Sequence, residues 1–206
     1  DLEGADQELG DYVISQSSGR TKAVAHDFTF LGNLGPGALL IGAGYLFGRL
    51  GHHDRLAEAS SLSAEALLST GLYTTFLKSL TARTRPANGG TGDFFQYTPQ
   101  GGQVPTSFPS GLAAAAFIVA GVFSGVYSDS KWMPWVAYGP AGLVGWSRVA
   151  LHRHFPSDVL VGAVLGSSIG RMTVARNDGA GARLAEFAPF IDPETHTEGV
   201  VWTHSW

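Results

Sequence analysis

The chain has 206 residues, 44% of them hydrophobic and 15% charged, with 28 glycines, no cysteine and a formal net charge of -4. That length is most economically one domain, residues 1–206, with a sizeable core, and the Ala/Gly-rich composition predicts closely packed helices. The lack of cysteine excludes a disulfide framework and a thiolate metal site and is compatible with the periplasm, while the weakly acidic balance gives no electrostatic reason to expect nucleic acid as a partner.

Residues 1–20 are polar and read as a short helix and a loop; the start at Asp1, with no visible signal peptide, reads as a processed or trimmed form. Phe28 to Leu50 is apolar and Gly-rich, a helix stopped by the charged turn Gly51-His52-His53-Asp54-Arg55. Leu56 to about Thr84 carries helical periodicity through Leu62, Leu67, Leu68, Leu72, Phe76 and Leu77, and Pro86 closes it. Ala87 to Ser107 is a long Gly/Pro/Thr/Gln loop of the kind that is more often functional than idle. Its Phe94, Phe95 and Tyr97 either line an apolar approach for a lipid or prenyl tail or plug the core.

Further helices are expected from about Ser110 to Tyr127, Trp135 to Arg148 and Ser157 to Val174, the last with Gly162, Gly166 and Gly170 forming a flat contact face. After Asn177 the tail, 177–206, reads as irregular, with a short apolar end at Val200 to Trp202. The expected fold is an all-α, single-domain helical bundle with its core at about 28–176. Gly111 to Tyr127 falls just short of the roughly 18 to 20 apolar residues a spanning helix needs, and other helices carry Glu58 and Glu65 or are broken by Gly and Pro. A soluble protein is therefore expected, with association at a membrane surface left open.

Three polar clusters interrupt the apolar helices. Lys78 and Arg85 are seven residues apart, two helical turns, which on one helix places both cations on one face about 10 Å apart. Pro109-Ser110-Gly111 opens a helix, where unpaired N–H groups and the positive end of the dipole suit a phosphate, although Ser110 is also an ordinary N-cap residue. Ser147-Arg148 is followed by His154 and, four residues on, by Asp158. That carboxylate can accept the ring N–H and leave the other nitrogen as a nucleophile or base, while Arg148 supplies a fork suited to phosphoryl oxygens. A metal site from His152, His154 and Asp158 is the weaker reading, because no further ligand cluster is in sight.

Taken in order, Lys78 with Arg85-Pro86, Pro109-Ser110-Gly111, and Ser147-Arg148 with His154 and Asp158 resemble the tripartite signature of the type-2 phosphatidic acid phosphatase superfamily. That superfamily includes soluble bacterial acid phosphatases, lipid phosphate phosphatases and vanadium haloperoxidases. The resemblance implies a helical bundle with its site at helix ends and phosphate ester hydrolysis without a metal or other cofactor, vanadate acting as a phosphate mimic. It implies phosphoryl binding by Lys78, Arg85, Arg148, Ser110 and the Gly111 amide, attack by His154 to form a phosphohistidine, and support of that imidazole by Asp158. It also implies a phosphorylated small molecule or a lipid or prenyl phosphate as substrate, and a periplasmic or secreted location.

The sequence departs from the family pattern at Leu112, where Pro-Ser-Gly-His would supply the general acid that protonates the leaving oxygen. Leucine donates no proton. Three explanations compete: an introduced substitution in an ordinary enzyme, a natural residue in an enzyme whose leaving group is stable as an anion, or a phosphate-binding pseudoenzyme. A vanadate-dependent haloperoxidase is a further alternative, but the chain shows no sign of extra helices to shield such a site.

Overall fold

The structure is a computed structural model describing residues 2–97, 106–177, 186–191 and 198–203. In chain order the described helices are α1 (Leu2–Ser15), α2 (Gly19–Gly32), α3 (Leu34–Leu50), α4 (Asp54–Thr81), α5 (Gly111–Val126), α6 (Met133–Ala150) and α7 (Pro156–Asn177). A 3-10 turn covers Pro86–Asn88, and a hairpin pairs β1 (Glu186–Ile191) with β2 (Glu198–Thr203). The architecture is the expected helical bundle, with α5 at its centre against α4, α6 and α7.

Three boundaries differ from the sequence expectation. The helix read as Phe28 to Leu50 breaks at Asn33, which is extended at φ −66° and ψ 153°. Pro36 is the reason: in a continuous helix it would offer no N–H to the Gly32 carbonyl, and its ring would press on that oxygen. In the third position of α3 the same proline is tolerated, and the new helix takes its first bond from Gly37 N–H to Asn33 O. The tail, read as irregular after Asn177, instead contains the antiparallel hairpin, with Glu186 opposite Thr203 and Ile191 opposite Glu198. Pro189 interrupts the alternation that would have advertised β1; the other tail residues lie outside the described ones.

The third difference concerns the site. Helix α4 stops at Thr81, and Ala82 takes the left-handed conformation (φ 41°, ψ 48°) while its N–H caps the Lys78 carbonyl. Arg85 is extended at φ −72° and ψ 149°, off the helix. The two cations therefore do not share a helical face. Pro86 restrains only its neighbour Arg85, whereas tertiary contacts made by Arg83 end the helix a turn earlier.

The glycine face of α7 packs as expected. A methyl group at Gly162 would stand 2.6 Å from the Ser110 carbonyl oxygen, one at Gly170 2.5 Å from that of Ile118, and one at Gly166 would overlap that of Ala114. These backbone approaches set the α5–α7 distance and so seat Asp158 beside Ser110. Gly166→Ala is expected to lower stability by about 1–3 kcal/mol or more by overpacking, read from thermal unfolding; an unchanged transition would contradict so close a crossing.

The distribution of large and small side chains is inverted relative to a helix in water. The buried positions of α4 are Ala57, Ala59, Ser60, Leu62, Ser63, Ala66, Thr70 and Thr74, mostly small or hydroxylated. Ser63 and Thr70 return their hydroxyls to the carbonyls one turn back. Leu68, Leu72 and Phe76, at four-residue spacing, face outward with exposures of 78%, 77% and 66%. Helix α3 adds the exposed Leu39, Leu40, Leu46, Phe47 and Leu50, and the start of α6 adds Trp135 and Val136 with the preceding Trp132. By length and composition α7 is apolar enough to cross a membrane, as are α2 and α3 taken as one bent pair.

Candidate active site

Four helix ends meet at one pole of the bundle: the carboxyl ends of α4 and α6 and the amino ends of α5 and α7. The connecting segments are tied by backbone bonds, Ser107 N–H to Arg83 O at 2.9 Å, Ser110 N–H to Asp158 O at 2.9 Å and Ala87 N–H to His152 O at 3.0 Å. All three polar clusters are thereby brought to this pole.

The spacing between Arg148 and His154 has a geometric reason. Helix α6 ends in a Schellman turn: His152 N–H bonds Val149 O, Arg153 N–H bonds Arg148 O, and His152 sits at φ 58°. The turn folds the chain back so that His154 N–H also meets the Arg148 carbonyl, at 3.2 Å. His152 thus closes a helix, which accounts for it without a metal. Among the described residues no three His, Asp or Glu side chains cluster as a metal site would require.

His154 is 4% exposed. Its Nδ1 lies 3.5 Å from Asp158 Oδ2, a charge contact longer than a hydrogen bond, and has no hydrogen-bond partner. Asp158 is fully buried and held by better donors. Its Oδ2 accepts from Ser107 Oγ at 2.5 Å and from Phe155 N–H at 2.9 Å, and its Oδ1 accepts from Arg83 at 2.6 Å. Burial pushes the His154 ring below the ordinary histidine value; the charges of Lys78 and Arg148 act in the same direction, and Asp158 opposes them.

A nucleophilic imidazole must be unprotonated, so lowering its pKa extends its competence toward acid. Were His154 to take a phosphoryl group, that step would therefore hold its rate as the pH falls to about 6.5, the ordinary histidine value. The pH profile of the pre-steady-state burst checks this; an acid limb centred above that value would contradict it.

Lys78 ends α4 beside the first turn of α5. Its Nζ donates to Thr106 O at 2.7 Å, and its stem lies 3.9 Å from where a Cβ on Gly111 would stand. Arg148 donates through one terminal nitrogen to Thr29 Oγ1 at 3.0 Å. The Nε–H groups of Arg85 and Arg148 are buried without a partner. Burial and nearby Arg153 both push the Arg85 guanidinium below its ordinary value, the mark of a cation crowded by cations.

Ser110 is fully buried, and its Oγ accepts from Ala113 N–H at 3.4 Å, a long N-cap bond. Leu112, in the same turn, is half-buried against the end of α2, with its Cγ and Cδ2 each 3.4 Å from where a Gly32 Cβ would stand. The loop aromatics divide between packed and exposed positions. Phe94 stacks on the Arg83 guanidinium and meets Phe108 edge-on, as a plug. Phe95 and Tyr97 are exposed, continuing the apolar stripe of α4 past Leu80, to whose carbonyl the Tyr97 hydroxyl donates.

Four participants escaped the sequence reading. Arg83 is 1% exposed and links Asp158 to Asp6 of α1; Ser107 bonds Asp158; Thr29 of α2 bonds Arg148 and Ser147. The only trace of Arg83 was its place two residues before Arg85. Nothing local distinguishes an inward arginine, or an acid or hydroxyl on a distant helix, from a solvated one.

The fold and the site together define a helical bundle with a buried His–Asp pair and basic side chains gathered at one pole. The profile of the PAP2 superfamily matches residues 61–179, more than half of the chain, and the protein belongs to that family. It is 38% identical over 86 residues to the lipid A 1-phosphatase of Porphyromonas gingivalis, a match covering 41% of this chain and 19% of that protein. The fold resembles the crystal structure of Aquifex aeolicus LpxE, with a TM-score of 0.62, 23% identity, and coverage of 82% of this chain and 93% of the other. It also resembles a transmembrane PAP2-type phosphatidylglycerolphosphate phosphatase from Bacillus subtilis, with a TM-score of 0.64, 25% identity and 87% coverage of each chain.

Proposed function

We propose that this protein is a lipid phosphate phosphatase that works from within a lipid bilayer. The observation that carries the phosphoryl site is the pair of buried, unpartnered Nε–H groups on Arg85 and Arg148. Burying such donors unpaired is costly, and Asp158 is already occupied by Arg83, Ser107 and Phe155 N–H. A phosphoryl group supplies the missing acceptors, and guanidinium forks suit its oxygens.

Lys78, Arg85 and Arg148 would neutralise the phosphoryl group, while Ser110 and the Gly111 amide hold its oxygens. His154 Nε2 would attack phosphorus, forming the P–N bond as the ester P–O bond breaks and the leaving oxygen takes the electron pair. Water would then attack phosphorus and break the P–N bond, releasing phosphate and regenerating the imidazole. Asp158 would hold the ring and stabilise its positive charge in both steps. Leu112 offers no proton to the leaving oxygen, so the first step favours leaving groups stable as anions.

The bilayer reading rests on the inverted α4, with small residues inside and Leu68, Leu72 and Phe76 outside. Small residues mark helix contacts in lipid, where no hydrophobic drive separates inside from outside. It also rests on the membrane-spanning relative from Bacillus subtilis. The protein is expected to remain in the pellet after alkaline carbonate washing and to need detergent for extraction; release by carbonate would sink this reading and restore surface association. For the activity, phosphate release from lipid A 1-phosphate, phosphatidylglycerol phosphate and p-nitrophenyl phosphate in detergent micelles is the test. Release inhibited by vanadate supports the proposal, and the absence of both release and vanadate binding would overturn it.

A further inference from the structure

We propose that Asp6, on the amino-terminal helix, is a positioning residue for the His154–Asp158 pair; this rests on the reading of that pair as the nucleophile and its support. Helix α7 begins without a side-chain cap of its own, because the residue before Pro156 is Phe155. Two carboxylates share the open N–H groups of its first turn. Asp158 bonds back to Phe155 N–H at 2.9 Å, as the acid of a capping box does. Asp6, from another helix, accepts from Ser157 N–H at 2.8 Å and from Ser157 Oγ at 2.6 Å.

The same Asp6 carboxylate holds the far side of Arg83, through Nη2 at 2.7 Å. The opposite terminal nitrogen, Nη1, donates to Asp158 Oδ1 at 2.6 Å and to Ser157 Oγ at 2.7 Å. Arg83 is clamped further by its Nε–H bond to Gly92 O and by the rings of Phe94 and Phe155 at 4.5 and 4.2 Å. One guanidinium thus lies between two carboxylates, with side-chain exposures of 1%, 8% and 0% for Arg83, Asp6 and Asp158. Asp6 has two effects. It pins the turn that carries Asp158, and it takes part of the Arg83 charge that Asp158 would otherwise absorb alone. Asp158 then keeps its negative charge in a fixed place 3.5 Å from His154 Nδ1, where it favours the proton on that nitrogen and leaves Nε2 free.

Histidine-selective nitrogen-15 NMR of the full chain in detergent reads this arrangement without requiring turnover, the His154 signal being assigned by its loss in His154→Gln. The unsubstituted protein is expected to show His154 mainly as the Nδ1–H tautomer. In Asp6→Asn, which keeps the side-chain volume but removes one acceptor, and in Asp6→Ala, that population should fall to about half or less. Glu8→Gln, an exposed change on the same helix, should leave it unchanged. Where phosphate release is measurable, kcat should fall about 10-fold or more in the Asp6 variants, with KM within about twofold. An unchanged tautomer in both variants would overturn the proposal. So would loss of the tautomer only together with the thermal unfolding transition, which would make Asp6 merely structural. A shifted tautomer in a protein that releases no phosphate would uphold the positioning role and defeat the phosphatase reading instead.

Discussion

Leu112→His is expected to raise phosphate release from alkyl phosphate lipids by roughly 100-fold to 10,000-fold, the range general acid catalysis typically contributes. The reasoning starts from the leaving group. An alkoxide departing unprotonated is a strong base, and in the proposed site Lys78, Arg85 and Arg148 would stabilise phosphoryl oxygens without delivering a proton to the ester oxygen. Position 112 lies two residues beyond Ser110 in the first turn of α5, beside Gly32 of α2. The gain should depend on the substrate: largest for alkyl phosphates, and small for p-nitrophenyl phosphate or a diphosphate, whose leaving groups are stable as anions. An equal gain on both classes, or none on the alkyl ester, would show that Leu112 does not mark a missing proton donor.

Arg83→Ala is expected to destabilise the fold by about 3–5 kcal/mol, the cost of breaking a buried ion pair from one side. Two carboxylates, Asp6 and Asp158, would lose their shared cation, and Phe94 and Phe155 would flank a void. Arg85→Ala makes the informative comparison. Its side chain has a buried, unpaired Nε–H, so on the proposed reading its removal should leave the unfolding transition nearly in place while sharply weakening vanadate binding. Thermal unfolding in mild detergent and a vanadate titration of both variants test the contrast. A stability loss in Arg85→Ala as large as in Arg83→Ala would contradict the division between a structural and a ligand-binding arginine.

The residues gathered at one pole of the bundle stood out in the sequence more clearly than the elements carrying them. Lys78, Arg85, Ser110, Arg148, His154 and Asp158 were identifiable because each cluster is a polar interruption in apolar helices. The interval between Arg148 and His154 is the length of one helix-closing turn. The helix face assigned to Lys78 and Arg85 was wrong because the end of α4 is set by Arg83, whose partners lie 75 and 77 residues away. The membrane-surface expectation came from counting apolar runs. What the count could not show is that Leu68, Leu72 and Phe76 face outward while Ser63 and Thr70 face in. Periodicity finds a stripe, but it does not say which solvent the stripe meets.

The contribution of α1 and α2 was the least legible part. Thr29 bonds Arg148, and Asp6 bonds both Arg83 and Ser157, across 119, 77 and 151 residues. Asp6 lies in a polar stretch that looks like solvated surface, and Thr29 is a single hydroxyl at the start of the apolar run Phe28 to Leu50, with no polar neighbour to single it out.

The central claim is that His154 is the nucleophile, and trapping its phosphoryl adduct tests it most directly. The protein would be mixed briefly with p-nitrophenyl phosphate, whose leaving group needs no acid, quenched in alkali, and digested for mass spectrometry. Leu112 cannot take a proton from the water of the second step, so the adduct should accumulate. One phosphoryl group on the His154 peptide, lost in acid and absent from His154→Gln, is the predicted result. A nitrophenol burst that leaves His154 unmodified, or that persists in His154→Gln, would contradict the account.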